Sequence, residues 1–299
     1  MEEILRRFYT VIRKEKEEIA VSFQQGNIVY PLKKLGFDFK DMNDLICNMT
    51  VEQYELLKDI GNRDLWEYEV LLSDVEICAP IISPRQDVIC LGINYDEHAI
   101  EAGKFSDEFA GERPYTIYFS KRVNKATPPG GIIPAYEGFV DSLDYEVELG
   151  VILGKDVKEV TPDEALDAVF GYTIINDVSA RNVQTRHKQW YLGKSLDGFT
   201  PIGPCIVTAD EIKDPQNLDV KCLVNGQLRQ SSNTKYMIQT VAGAISELSQ
   251  GMTLLAGTII ATGTPSGVGM GMDPPCFLKK GDVITCEIEH IGVLENTVK

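Results

Sequence analysis

From Asp87 to the C-terminus the chain breaks into short β-type runs: DVICLGI, YTIYFSK, DYEVELGVILG, VFGYTIINDVSA, GPCIVTADEI, DVKCLVNGQLRQ, LLAGTIIATG and DVITCEIEHIG. Each is rich in β-branched and aromatic residues and is bounded by Gly, Pro, Asn or Asp, the residues that end strands. Asn225-Gly226 inside VNGQL is a two-residue hairpin signal, because both positions must take positive φ. Only two segments of this region read clearly as helices. TPDEALDAVF offers Thr161 as N-cap, Pro162 at the first helical position and acids in the first turn. TKYMIQTVAGAISELSQG is the other. Many strands with few crossover helices argue against a doubly wound or (β/α)₈ architecture. The expectation is α+β, mostly β, with a mixed, rolled or barrel-like sheet.

The first 77 residues read as a small N-terminal α+β lobe. It has short strand pieces (IAVSFQQGNIVYPL), then a helical run (TVEQYELLKDIGNRDLWEYEV). Prolines in CAPIISPRQDVICLGINY mark a boundary near residue 80, leaving 78–299 as the main unit. A length of 299 residues suits such a division.

Composition removes some function classes. A net charge of −16 leaves no basic face for nucleic acid. No stretch approaches the ~18 apolar residues of a membrane span, and the N-terminus MEEILRRFYTVIRKEKEEIA carries no cleavage signal. The seven cysteines are scattered without a CxxC pair. That pattern fits reduced thiols in a cytoplasmic protein.

The chemistry concentrates in SLDYEVELGVILGK. Residues i and i+2 of a strand share a face, so Glu146 and Glu148 point one way while Tyr145, Val147, Leu149 and Val151 point into packing. Two carboxylates that close repel when desolvated, unless one is protonated or a cation lies between them. An all-oxygen set suits Mg²⁺, Mn²⁺ or Ca²⁺ and not zinc. Asp177, at the end of the apolar run in GYTIINDVSAR, is the candidate third ligand. Taken alone, the pattern fits a solvated sheet face and a turn acid equally well.

His98 and Glu101 in GINYDEHAIEAGKF share one side of a helical turn. A carboxylate beside an imidazole orients it and raises its basicity, as a general base needs. The surrounding polar stretch, residues 96–114, is a candidate mobile lid, although a solvated helical face explains the fragment as well. His187 and His290 suggest packing or capping. After Asp177 come Arg181, Gln184 and Lys194, groups able to hold a substrate carboxylate, with surface positions as the plainer reading. ATGTPSGVGMG lacks the GK[ST] of a P-loop, yet Thr264 and its neighbouring N–H groups offer an oxyanion site.

In order along the chain, GINYDEHAIE, LDYEVELGVILGK, GYTIINDVSARNVQ, GKSLDGFTPIGP, VNGQLRQ, GMTLLAGTIIATGTPSGVG and LKKGDVITCEIEHIG resemble the fumarylacetoacetate hydrolase family over residues 78–299. The resemblance implies a mixed β-sandwich roll and a homodimer. It implies Mg²⁺ or Mn²⁺ on Glu146, Glu148 and Asp177, and His98 with Glu101 as a catalytic dyad on a lid. It further implies Lys194 as a catalytic group, and Arg181, Gln184 and Thr264 around the substrate. The expected activity is metal-dependent C–C cleavage of a 2-oxo acid through an enolate, as acylpyruvate hydrolysis or oxaloacetate decarboxylation. Isomerisation or hydration of a 2-hydroxy-dienedioate is the alternative, and a non-catalytic ligand-binding scaffold is a third. Departures from the family pattern are Asn182 in SARN, and Arg122 and Asn124 in SKRVNKATPPG.

Overall fold

The structure, a computed structural model, describes residues 6–23, 26–105 and 115–299, with the side chains of Lys104 and Phe105 outside that set. Two sheets dominate. The larger has eleven strands. Its path runs Val70–Leu71, Ile28–Pro31, Lys16–Ser22, Arg7–Arg13, Ile202–Thr208, Val169–Asn176, Val147–Leu153, Ile259–Ala261, Val88–Gly92 and Ile117–Lys121, and Glu76–Ile77 pairs with Arg7–Arg13. The smaller orders Gln227–Asn233, Asp219–Val224, Val283–Ile288, Gly292–Val298 and Ile132–Ile133. Pairing is antiparallel except where Ile259–Ala261 meets Val88–Gly92 and Gly292–Val298 meets Ile132–Ile133. This is the mostly-β α+β roll expected from the spacing of the runs.

Local chemistry explains the elements. Asn225 and Gly226 take φ of 51° and 74°, so the hairpin turn is of the primed type that matches strand twist. Glu164 reaches back to the Thr161 N–H (3.0 Å) at the start of the short helix Pro162–Ala165. Thr50 and Gln53 make the same reciprocal cap at Val51–Gly61. The second expected helix is shorter than its pattern: Thr234–Tyr236 forms a 3₁₀ turn and the α-helix spans only Val241–Ser249, capped by Thr240. Thr240 supplies an N-cap in mid-pattern, and that local bond ends the periodic run upstream.

The strand Val147–Leu153 is buried along its whole length. Val147, Leu149, Val151 and Leu153 join the core beneath the smaller sheet, and Ile152 joins the core under the N-terminal helices. A strand with packing on both faces has a fixed register, since a one-residue slip would exchange its faces. That register is what places Glu148.

Pairing of Arg7 with Val207 carries the large sheet across residue 77. A polar cluster adds to this junction. The Arg6 guanidinium meets Asp210 (2.5 Å) and Glu211, while Asp210 also takes the Tyr54 hydroxyl (2.5 Å) and lies 3.3 Å from Lys58 on the helix Val51–Gly61. Exposed ion pairs contribute little, but Arg6 is buried. Arg6→Ala is expected to lower unfolding free energy by about 2 kcal/mol, the range for hydrogen bonds to charged groups, read as a shift in urea midpoint. An unchanged midpoint would leave apolar packing as the only tie at this corner.

Candidate active site

The end of Val147–Leu153 sets the centre of the site. Glu146 lies in the short break between Leu143–Asp144 and Val147–Leu153, and Glu148 is one pleat further on. Asp177 follows the end of Val169–Asn176, the neighbouring strand, and its N–H donates to the Glu146 carbonyl (2.8 Å). The Asn176 side-chain oxygen accepts from the Glu146 N–H (3.0 Å), fixing the turn. One oxygen from each of Glu146, Glu148 and Asp177 falls within 4.8 Å of the others, and all three are buried. The solvated-face reading is therefore excluded.

Three cations surround these carboxylates. Lys194 Nζ lies 2.7 Å from Glu146 Oε2 and 2.6 Å from Asp177 Oδ2. Lys121 Nζ lies 2.6 Å from Asp177 Oδ1 and donates to the Val178 carbonyl. Arg181 Nε donates to Asp144 Oδ2 (2.9 Å) and Nη1 to Gln184 Oε1 (3.0 Å). Its Nη2 is 2.6 Å from Glu146 Oε1, an ion pair and not a directed hydrogen bond. Both lysines and Arg181 are buried.

These contacts divide the carboxylates. Burial pushes the Glu146 carboxyl up, but the Lys194 and Arg181 charges outweigh it and hold the group well below the usual range. Glu148 has no such cation at contact. Burial, then the Asp177 and Glu146 charges, raise it well above an ordinary carboxyl, with the Gly263 N–H (2.9 Å) a weaker opposing influence. Burial lowers the Lys121 ammonium, Asp177 offsetting only part of the cost.

A hard divalent cation fits this donor set. All candidate ligands are carboxylate oxygens, with no sulfur or imidazole among the three. For Glu148, in particular, a nearby cation would oppose the burial and the neighbouring charges that raise it.

His98 and Glu101 sit on the helix Asp96–Phe105, with Nδ1 3.1 Å from Glu101 Oε2. His98 is buried and lines the same cavity as Glu146, Glu148, Arg181, Gln184, Lys194 and Thr264. Trp190, Phe119, Met270 and Leu91 supply its apolar wall. Phe119 and Trp190 pack edge to face at 5.1 Å, and Lys194 Nζ lies 5.3 Å from the Phe119 ring centre. The cavity holds about 20 Å³ of free space, room for a water or an ion and not for an organic acid. The rest of the stretch considered as a lid, residues 106–114, lies outside the described residues.

The glycine loop binds oxyanions, and they are the protein's own. Gly263 N–H donates to Glu148, Gly267 N–H to Glu101 (3.0 and 3.2 Å), and the Gly269 and Met270 N–H groups to Asp144 (2.7 and 3.0 Å). Thr264 faces the cavity, but its hydroxyl donates to the Val147 carbonyl and accepts from Gln230.

A model of the fumarylacetoacetate (FAA) hydrolase C-terminal region matches residues 87–299. This chain belongs to the fumarylacetoacetate hydrolase family. The oxaloacetate tautomerase YisK of Bacillus subtilis is 46% identical over 237 residues, covering 79% of this chain and 77% of that protein. The solved fumarylacetoacetate hydrolase EaFAH of Exiguobacterium antarcticum superposes with a TM-score of 0.83 at 38% identity, covering 98% of this chain and 99% of that one. Maleylpyruvate hydrolase of Sphingobium sp. SYK-6, solved with manganese(II) and pyruvate, gives a TM-score of 0.75 at 27% identity, with 98% of each chain covered.

Within this family member, the three departures from the family motifs do not line the cavity. Asn182 turns its amide to the Phe139 carbonyl (3.1 Å), Arg122 is exposed beside Asp87, and Asn124 is exposed. His187 caps the end of the helix Arg181–Arg186, and His290 is exposed at a turn. Sequence reasoning missed Lys121, Asp144 and Gln230. Asp144 was within reach of the period-two rule, since 144, 146 and 148 fall on one row. Lys121 closes the strand Ile117–Lys121, and nothing in its sequence context marks a buried lysine.

Proposed function

We propose that this chain is a divalent-metal-dependent enzyme that forms and quenches the enolate of a small 2-oxo acid, and that its reaction is keto–enol interconversion of a four-carbon 2-oxo dicarboxylate of the oxaloacetate class. The observation that carries this reading is one cavity lined by Glu146 and Glu148, of a carboxylate cluster fit for a divalent cation, and by His98, of a histidine–carboxylate pair. A bound cation would supply Lewis acidity toward the carboxylate and 2-oxo oxygen of such a substrate. Glu146, Glu148 and Asp177 would hold it. Lys194 and Arg181 keep Glu146 ionised and ready as a ligand. Glu101 accepts from His98 Nδ1–H, which leaves Nε2 free as a base. That nitrogen takes the C3 proton and returns it to the oxygen of the enolate, a shuttle with no net change.

The tautomerase activity of the Bacillus relative supports this substrate class. A second reading, C–C hydrolysis, is favoured by the maleylpyruvate hydrolase relative, and the same dyad serves it by activating water.

Turnover with Mg²⁺, Mn²⁺ or EDTA on oxaloacetate, acetylpyruvate, maleylpyruvate and a 2-hydroxy-dienedioate tests both readings. The expected result is a metal-dependent change in enol absorbance of oxaloacetate without matching pyruvate release. Stoichiometric pyruvate release would move the assignment to C–C cleavage. An absorbance change confined to the dienedioate would make the chain an isomerase. Activity on none of them, with metal binding intact, would count against an enzyme of this class and for a ligand-binding role.

A further inference from the structure

We propose that Gly271 is a positioning residue: its bare α-carbon is the seat on which Glu101 rests, and through Glu101 it sets the His98 imidazole. The inference builds on the dyad reading above and adds a residue to it.

The helix Asp96–Phe105 is fastened to one loop. Gly267 N–H donates to both Glu101 oxygens (3.0 and 3.2 Å), and the Ser266 hydroxyl donates to Glu97 Oε2 (3.1 Å). Glu97 and Glu101 are one turn apart and share a helix face. Ala102 packs with Val268 and Met270 in a small apolar cluster of its own. The loop closes as a 3₁₀ turn over Gly269–Gly271, held by the Gly271 N–H to the Val268 carbonyl (3.1 Å).

Three glycines of this loop differ in what a side chain would meet. At Gly267 φ is +102°, and a methyl would also strike the Arg229 carbonyl. At Gly269 a methyl would strike the Cys276 carbonyl and Asp144 Oδ1 (2.8 Å). Both changes would damage the fold. Gly271 lacks the left-handed φ, and the nearest atoms to a methyl there are Cγ, Cδ and Oε1 of Glu101, all well inside contact distance. Alanine therefore suits the backbone at 271, and the nearest atoms it meets belong to Glu101. Such a substitution keeps the backbone conformation, while Glu101 is pushed off the Gly267 N–H and the dyad is displaced. Displacement of a catalytic group by about 1 Å costs on the order of a hundredfold in rate.

The test uses the full-length protein with Mn²⁺. Gly271→Ala is expected to lower kcat by about a hundredfold, to leave Mn²⁺ affinity unchanged, and to speed amide hydrogen exchange over residues 97–102. Glu101→Ala removes Cγ and everything beyond it and makes room. The Gly271→Ala/Glu101→Ala double variant is then expected to be no slower than Glu101→Ala alone, a strongly non-additive result. Multiplicative loss in the double variant would overturn action through Glu101. Exchange is measured without substrate and so does not depend on the reaction. Wild-type exchange and wild-type kcat in Gly271→Ala would remove the seat. Faster exchange with no turnover in any variant or wild type would support the seat and defeat the proposed reaction.

Discussion

Glu148→Gln is expected to fold as the native chain does and to lose metal-dependent turnover by about a thousandfold, the ~4 kcal/mol that a Lewis acid supplies to developing charge. An amide reproduces the shape of Glu148 and its acceptor for the Gly263 N–H, at a place where burial and the Asp177 and Glu146 charges disfavour a negative charge. What glutamine cannot supply is the charge a divalent cation draws on. Glu146 is the poorer probe, although the two residues read alike in sequence. It faces Lys194 and Arg181, both buried, and Glu146→Ala would take from each of those charges one of its two carboxylate partners. Removing one member of a buried ion pair costs about 3–5 kcal/mol, so its lost activity would mix chemistry with destabilisation. Melting curves of the two variants, beside Mn²⁺ titrations and turnover, separate the effects. Native-like metal-dependent turnover in Glu148→Gln would exclude the three carboxylates as the metal site.

His98→Ala carries the second large effect and sorts the reactions. A positioned acid–base group contributes about a hundred- to ten-thousandfold. Tautomerisation needs a group to carry the proton, and hydrolysis needs one to activate water. Loss of carbon dioxide from oxaloacetate needs neither, since the departing carboxylate leaves its electrons behind. The expectation is a loss of about a thousandfold in enol absorbance change, with decarboxylation within about tenfold of native in the same preparation. Equal loss of both would show that His98 assembles the site and does not shuttle protons. Retention of both would take it out of the mechanism. Mn²⁺ affinity should be unaffected, because His98 is not among the three carboxylates that fit a cation.

The period of two in DYEVELGVIL was sufficient to place Tyr145, Val147, Leu149 and Val151 in the core and to set Glu146 and Glu148 together, because strand geometry is a local rule. Asn225-Gly226 and the Thr161 cap were legible for the same reason. What the sequence could not distinguish was which charges are buried. Lys121 and Lys194 look like any surface lysine, and their burial comes from strands and helices distant in the chain. The different fates of Glu146 and Glu148 likewise depend on Lys194, 48 residues away from Glu146, and on Gly263, 115 residues away from Glu148. The glycine loop was recognised as a place for oxyanions, but only the fold reveals that Glu101, Glu148 and Asp144 are those oxyanions.

The interleaving of the large sheet has a consequence for biosynthesis. Arg7 pairs at once with the adjacent hairpin strand but also with Val207, so one edge of the first strand waits for some 200 residues before its second partner exists. At about 5–20 residues per second that is about 10–40 s on the ribosome. A similar wait holds at the centre: Ile259–Ala261 slots between Val88–Gly92 and Val147–Leu153 after both have been made. Until it arrives, Val147–Leu153 presents an apolar open edge of the kind that templates aggregation. The same late segment leads into Gly263 and Gly267, the donors to Glu148 and Glu101. The nascent chain therefore acquires its candidate chemistry last, in the step that also seals its most adhesive surface.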